Sequence, residues 1–164
     1  MDPFISDVAK SFARDLDTLS REVALYPDDA SVFAVREGLP NTGGNLVLHL
    51  CGNVRHFIGL TLGHSGYVRN RDHEFAARET SRADLEALIS AARTEVAAAF
   101  AALPASQLAE PFPLAVGGVT LPTRTFLLHL ATHFTFHLGQ IDYHRRIVTG
   151  NAQSAGTLPI TAMV

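Results

Sequence analysis

The sequence predicts an all-α protein, a four-helix bundle in up-down-down-up order forming a single domain over residues 1–164. Three observations predict it. Four stretches repeat apolar residues every three or four positions, each over about 20–27 residues, which is the pattern of bundle helices. Proline, glycine and capping residues separate those stretches. The second connection holds about 17 residues, enough to run the length of a helix of roughly 30 Å and leave the second and third helices parallel. The second and fourth helices are then antiparallel.

The first helix opens at Asp2-Pro3, a cap followed by an N1 proline. Ile5, Val8, Phe12, Leu16, Leu19 and Val23 carry it to about Leu25, and Pro27-Asp28-Asp29 ends it. Residues 26–43 read as a connection. The second helix runs from about Gly44 to Leu62, with Asn45, His49, Asn53 and His56 on one face and Gly63-His64-Ser65-Gly66 as its stop. Tyr67 to Thr80 is charged and aperiodic and reads as a loop. Ser81 and Asp84 form a capping box for the third helix, whose stripe is Leu85, Leu88, Ile89, Ala92, Val96, Phe100 and Leu103. Pro104 closes it. Gly117-Gly118, between short apolar pairs, predicts a short β-hairpin before the fourth helix. That helix starts near Pro122 and stops at Gly150. The tail, 151–164, has no charged side chain and is expected to dock on the body or on a partner subunit.

At 164 residues the chain is long enough for a sizeable core, and its 47% hydrophobic and 18% charged residues are an ordinary globular balance. A net charge of −3 gives no basic surface for nucleic acid or an anionic membrane. All 13 basic residues but Lys10 are arginine, which fits genome composition better than a function. The one cysteine, Cys51, excludes an internal disulfide and suits a reducing compartment. Asp2 and Asp7 interrupt any signal-peptide pattern, and no apolar run approaches the ~18 residues that span a bilayer. A cytoplasmic location is expected.

The fourth helix carries the chemistry. Four of the eight histidines, His129, His133, His137 and His144, lie in it at helical spacing. At about 100° per residue they share an arc of roughly 80° with Phe126 and Gln140. Buried imidazoles need partners, because each unpaired polar group costs a few kcal/mol. His133 and His137, four residues apart, are placed to hold one metal ion. His49, near the start of the second helix, is the best third ligand. Three histidines leave a coordination position open, as in a catalytic site, and imidazole ligation suits zinc or nickel. Cys51 is about 200° round the helix from His49, at ~100° per residue, and reads as a packed core residue.

Other polar residues carry open alternatives. Gln140 could hydrogen-bond a ligand imidazole or a substrate, or serve helix packing alone. His56 and His129 form either a polar layer beside the metal or separate hydrogen bonds, with Asn53 on the same side. His144 is expected at the pocket mouth, and His64 and His73 in solvent. Arg69 and Arg71 could receive an anionic substrate group, or belong to a solvated loop of local ion pairs.

His133-Phe134-Thr135-Phe136-His137-Leu138-Gly139-Gln140 resembles the H-x-x-x-H-x-G-Q segment of the DinB/YfiT-like superfamily. His49, in Asn45-Leu46-Val47-Leu48-His49-Leu50, is similar to that family's second-helix histidine. Arg69-Asn70-Arg71-Asp72-His73-Glu74-Phe75 resembles the R-N-R-D-x-E-F loop of one of its branches. The resemblance covers nearly the whole chain. It implies the up-down-down-up bundle, a divalent metal, often nickel or zinc, on His49, His133 and His137, and a homodimer. Characterised members of the family include S-transferases that use bacillithiol or mycothiol and a mycothiol-dependent maleylpyruvate isomerase.

The expected function is therefore a divalent-metal enzyme of the thiol S-transferase type, using a low-molecular-weight thiol on a small electrophile. The alternatives are a non-catalytic metal-binding or stress-associated dimer and a metal-dependent hydrolase. No Asp or Glu lies on the inward arcs of the second and fourth helices, which weakens the hydrolase. Di-iron chemistry lacks its Glu-x-x-His pairs on those helices.

Overall fold

The computed structural model describes residues 2–156 and 160–163. The long helices are α1 (Pro3–Ala24), α3 (Gly43–Val54), α5 (Arg82–Ala102) and α6 (Thr123–Thr149), and two short ones, α2 (Asp29–Val32) and α4 (Arg71–Ala76), lie in the connections. The helix starts follow local chemistry. Asp2 accepts hydrogen bonds from the Phe4 and Ile5 amides beside Pro3, Thr42 from the Asn45 amide, and Ser81 from the Asp84 amide. The α6 helix ends on Gly150 in the left-handed conformation.

Two departures from the expected outline concern connections. The segment 67–80 is not a plain loop: Asn70 accepts from the His73 amide and opens α4. The acidic Asp72 and Glu74 in its first turn suit the positive end of a helix. The expected hairpin before α6 is a tight turn without strands, and no sheet occurs among the described residues. Val116 and Val119 exchange both backbone hydrogen bonds, at 2.9 and 3.1 Å, around Gly117 and Gly118. Both glycines have positive φ, +59° and +78°, which this two-residue turn requires. Only an isolated bridge, Pro111 to Pro122, continues the pairing. The second helix also changes character, since Arg55–Leu60 is π-helical.

Side-chain pairs fix the direction of every neighbouring helix. Asp15 with Thr135 and Glu22 with Arg145 make α1 parallel to α6. Asp17 with Arg93 and Ser20 with Glu86 make α1 antiparallel to α5. Arg55 with Glu95, and Gly63 against Ala99, run α3 and its π extension parallel to α5. Phe57 against Phe126 and His49 against His133 set α3 antiparallel to α6. The order is up-down-down-up. At the centre Phe12 stacks on Phe100 and meets Phe134 edge-on, with ring centroids 5.9 and 6.0 Å apart. Cys51 is packed in this core, and burial pushes its thiol up to about 12. No described helix is long and apolar enough to cross a membrane.

Two buried polar groups tie the connections to the bundle. Arg145 is fully buried, bonds Glu22 at 2.7 Å and donates to the Asn151 carbonyl past the end of α6 at 2.8 Å. His144 does not line the cavity of the histidine triad but a separate, smaller pocket with Gln140 and Tyr143. It is buried, its Nε2–H donates to the Ala34 carbonyl at 2.9 Å, and its Nδ1 accepts from the Tyr26 hydroxyl at 2.8 Å. The imidazole thus pins the 25–42 connection to α6 in one neutral tautomer. The tail expected to dock, 151–164, lies partly outside the described residues. Its described part meets α1 where Arg21 Nε donates to the Ala155 carbonyl at 2.7 Å.

Burial lowers the pKa of His144 below its ordinary 6.5, against a raising contribution from the bond to Ala34. The unfolded chain therefore takes up this proton at higher pH than the folded one. The stability held by neutral His144 is complete above pH 6.5 and declines as the pH falls below it. Urea unfolding at pH 7.5 and 5 should show the parent losing more stability over that interval than His144→Phe.

Candidate metal centre

The antiparallel contact of α3 and α6 brings three imidazoles to one point. His49 leaves the middle of α3, and His133 and His137 leave successive turns of α6. Their ring centroids stand 5.2 Å (His49–His133), 5.3 Å (His49–His137) and 4.6 Å (His133–His137) apart, at steep mutual angles. One nitrogen from each lies within 4.8 Å of the other two. The Nε2 atoms of His49 and His133 are 3.4 Å apart. Two nitrogens on one tetrahedral zinc, each at about 2.05 Å, would be separated by about 3.3 Å.

The opposite ring nitrogens show which edges face this point. His49 Nδ1 lies 3.0 Å from Glu74 Oε2, and His137 Nδ1 lies 2.6 Å from Gln140 Oε1. Both partners are oxygens that accept, so each Nδ1 carries the proton and each Nε2 presents a lone pair inward. His133 Nδ1 is buried without a partner. Burial first, and then the neighbouring His137, His49 and His129, bring the His133 pKa down to about 4. Burial also lowers His137, against the raising bond to Gln140. His133 and His137 are therefore unprotonated at neutral pH, the form a metal requires. Three converging ring nitrogens, two of them with their opposite nitrogen hydrogen-bonded to an oxygen, fit a divalent cation.

Glu74 is the site residue that the sequence reading missed. It belongs to α4, not to either inward-facing helix arc, and it is 4% exposed. Its carboxylate bridges His49 and Arg69, whose Nε and Nη2 donate at 2.6 and 2.8 Å. Burial alone would raise the Glu74 pKa, but the bonds from Arg69 and His49 outweigh it and hold the carboxyl below its usual range. Three features of α3 dock α4 here. Asn45 Nδ2 donates to the Glu74 and Ala77 carbonyls at 2.9 and 3.0 Å. Arg78 donates to Asn45 Oδ1 at 2.9 Å. Gly52, one turn beyond His49, leaves the space that Glu74 fills, and a Cβ there would collide with Glu74 Oε1. The missed signal was Asn70 followed by Asp72 and Glu74, a helix start placed where a ligand histidine needs an acceptor.

The triad lies in the wall of a cavity of about 420 Å³ between α3, α6, the α4 segment and the Val116 turn. Asn53, Phe57, Phe126 and His129 line it. Arg69 and Arg71 line it too, but Arg69 is paired with Glu74 whereas the Arg71 guanidinium lies 5.2 Å from the Phe75 ring. His129 is exposed and stacks on Phe126. His56 is not among the cavity residues. Its ring meets Phe57, and its Nδ1 is buried without a partner. A shared His56–His129 layer does not form, because Phe57 and Phe126 pack against each other between the two rings. His64 and His73 are exposed.

Fold and site together define a four-helix bundle with a three-histidine site able to hold a divalent metal. The model of the DinB superfamily matches residues 12–141. The chain belongs to that metal-associated superfamily. No curated protein matches it at a significant level.

The residues that orient the imidazoles should govern affinity. Glu74→Gln, Gln140→Leu and Gly52→Ala should each weaken metal binding by about 10–100-fold, the usual effect of losing such partners. Competition with a chromophoric chelator measures it. Substitution of the distant Thr94, whose hydroxyl bonds only the Ser90 carbonyl, should leave the affinity unchanged.

Proposed function

We propose that this protein is a divalent-metal enzyme of the thiol S-transferase type, acting on a small electrophilic molecule, with zinc or nickel as the ion. One observation carries the reading: three imidazole lone pairs converge in the wall of an open cavity of about 420 Å³. His49, His133 and His137 would hold the ion and leave a position facing the cavity. Bound there, a divalent ion supplies a Lewis acid that lowers the pKa of a coordinated thiol or water to near neutrality. Glu74 and Gln140 keep the ligand rings in the productive tautomer. Phe57 and Phe126 give the cavity an apolar wall on which an electrophile can rest. A homodimer belongs to the same proposal, and light scattering tests it.

The side chains favour thiol over carboxylate-assisted chemistry. None of the described residues lining the cavity is Asp or Glu, and the Glu74 carboxylate is already engaged by Arg69 and His49. The bundle also has its own aromatic and aliphatic core, so metal removal should leave it folded. A purely structural metal would take much of the folding free energy with it.

Elemental analysis of tag-free protein should find about one zinc or nickel per chain in the parent and none in His133→Ala, since three ligands are needed to hold the ion. The loaded parent should conjugate monochlorobimane to a low-molecular-weight thiol, and the chelated protein should not. A parent that stays metal-free after reconstitution would end the proposal.

A further inference from the structure

Among the described residues, the cavity is lined by one cation without an ionic partner. Of its two arginines, Arg69 is neutralised by Glu74 through two short hydrogen bonds. Arg71 lines the same cavity, is exposed, and takes part in no ion pair among the described residues. Asp72, the next residue, projects about 100° away round α4 and does not line the cavity. The Arg71 guanidinium lies over Phe75, and the Phe75 ring lies 5.0 Å from that of His49. The charge is thus carried on an aromatic step directly beside a metal-ligand position.

The mode of packing matters as much as the place. The ring contact occupies none of the guanidinium N–H groups, and the Arg71 side chain makes no hydrogen bond among the described residues, so its donors stay available. The contact also restricts a long side chain before any ligand arrives, which lowers the entropic cost of binding. A planar fork of donors beside a cavity with no acidic residue among those described suits a carboxylate, which it can grip with two parallel bonds.

We propose that Arg71 is the anion receptor of the cavity, and that a molecule processed there carries a carboxylate. This rests on the metal-centre reading above. The carboxylate belongs either to the thiol or to the electrophile, and Arg71 serves the same role in both cases.

The test uses metal-loaded protein whose metal content is measured in every sample. Calorimetry compares 3-mercaptopropionate with 2-mercaptoethanol, which differ in the carboxylate. A second titration adds succinate to protein saturated with 2-mercaptoethanol. If the carboxylate comes with the thiol, the parent should prefer 3-mercaptopropionate by about tenfold, the scale of a charge-assisted hydrogen bond. Arg71→Met should lose the preference and keep its affinity for 2-mercaptoethanol, and Arg71→Lys should retain part of it. If the carboxylate comes with the electrophile, succinate should bind beside 2-mercaptoethanol in the parent and not in Arg71→Met. Equal behaviour of parent and Arg71→Met in both titrations, with metal present and melting temperatures matched, overturns the proposal and leaves the metal centre standing. A parent that takes up no metal overturns both.

Discussion

A carboxylate sealed between an imidazole and a guanidinium organises this protein's site. Glu74 is buried, and two cationic or donating partners, Arg69 and His49, meet it at hydrogen-bond distance. Such a group is costly to bury alone and acceptable only when fully paired. Each member therefore constrains the others. The pairing sets the His49 tautomer, holds α4 on α3, and removes Arg69 from competition for ligands. Glu74 is the one residue of α4 that is fully buried, so the pairing adds to the hold of Asn45 and Arg78 on this segment.

The bundle topology supplies the other half. The up-down-down-up order makes α3 antiparallel to α6, so a histidine in the middle of one meets a pair one turn apart on the other. The helix positions are held by the apolar core, in which Phe12, Phe100 and Phe134 interlock. Buried polar ties at His144 and Arg145 keep α6 in register. The imidazole nitrogens are thus brought together by apolar packing rather than by attraction to one another, which among like lone pairs would be repulsive.

How much of this was legible in the sequence follows from what each residue depends on. The long helices were readable because their apolar period and caps are local properties, as at Asp2, Ser81 and Gly150. The triad was readable because i, i+4 spacing on one helix is itself a geometric statement, and His49 stood out as a histidine on the polar stripe of an apolar run. Glu74 was hidden because it acts from a segment with no periodicity, and its importance appears only when α4 lies across Gly52. The burial of His144 was hidden for a related reason. Its position on the histidine stripe says which way it points, but not that Tyr26 and the Ala34 carbonyl wait there. The π-helical stretch after Val54 likewise left no local mark, and the aromatic pair Phe57–Phe126 separates two histidines that angular position alone would group.

The clasp of Asn45, Gly52 and Glu74 joins α3 and α4 into a single wall that carries both a nitrogen donor and Arg71. A separate piece of chain also lines the cavity, where Val116 belongs to a turn held by two backbone bonds and two glycines. Ligand size and metal affinity therefore reside in different segments. Substitutions in the turn can reshape what the cavity admits while the donor atoms stay in place, so selectivity in this architecture is free to drift without the metal centre being rebuilt.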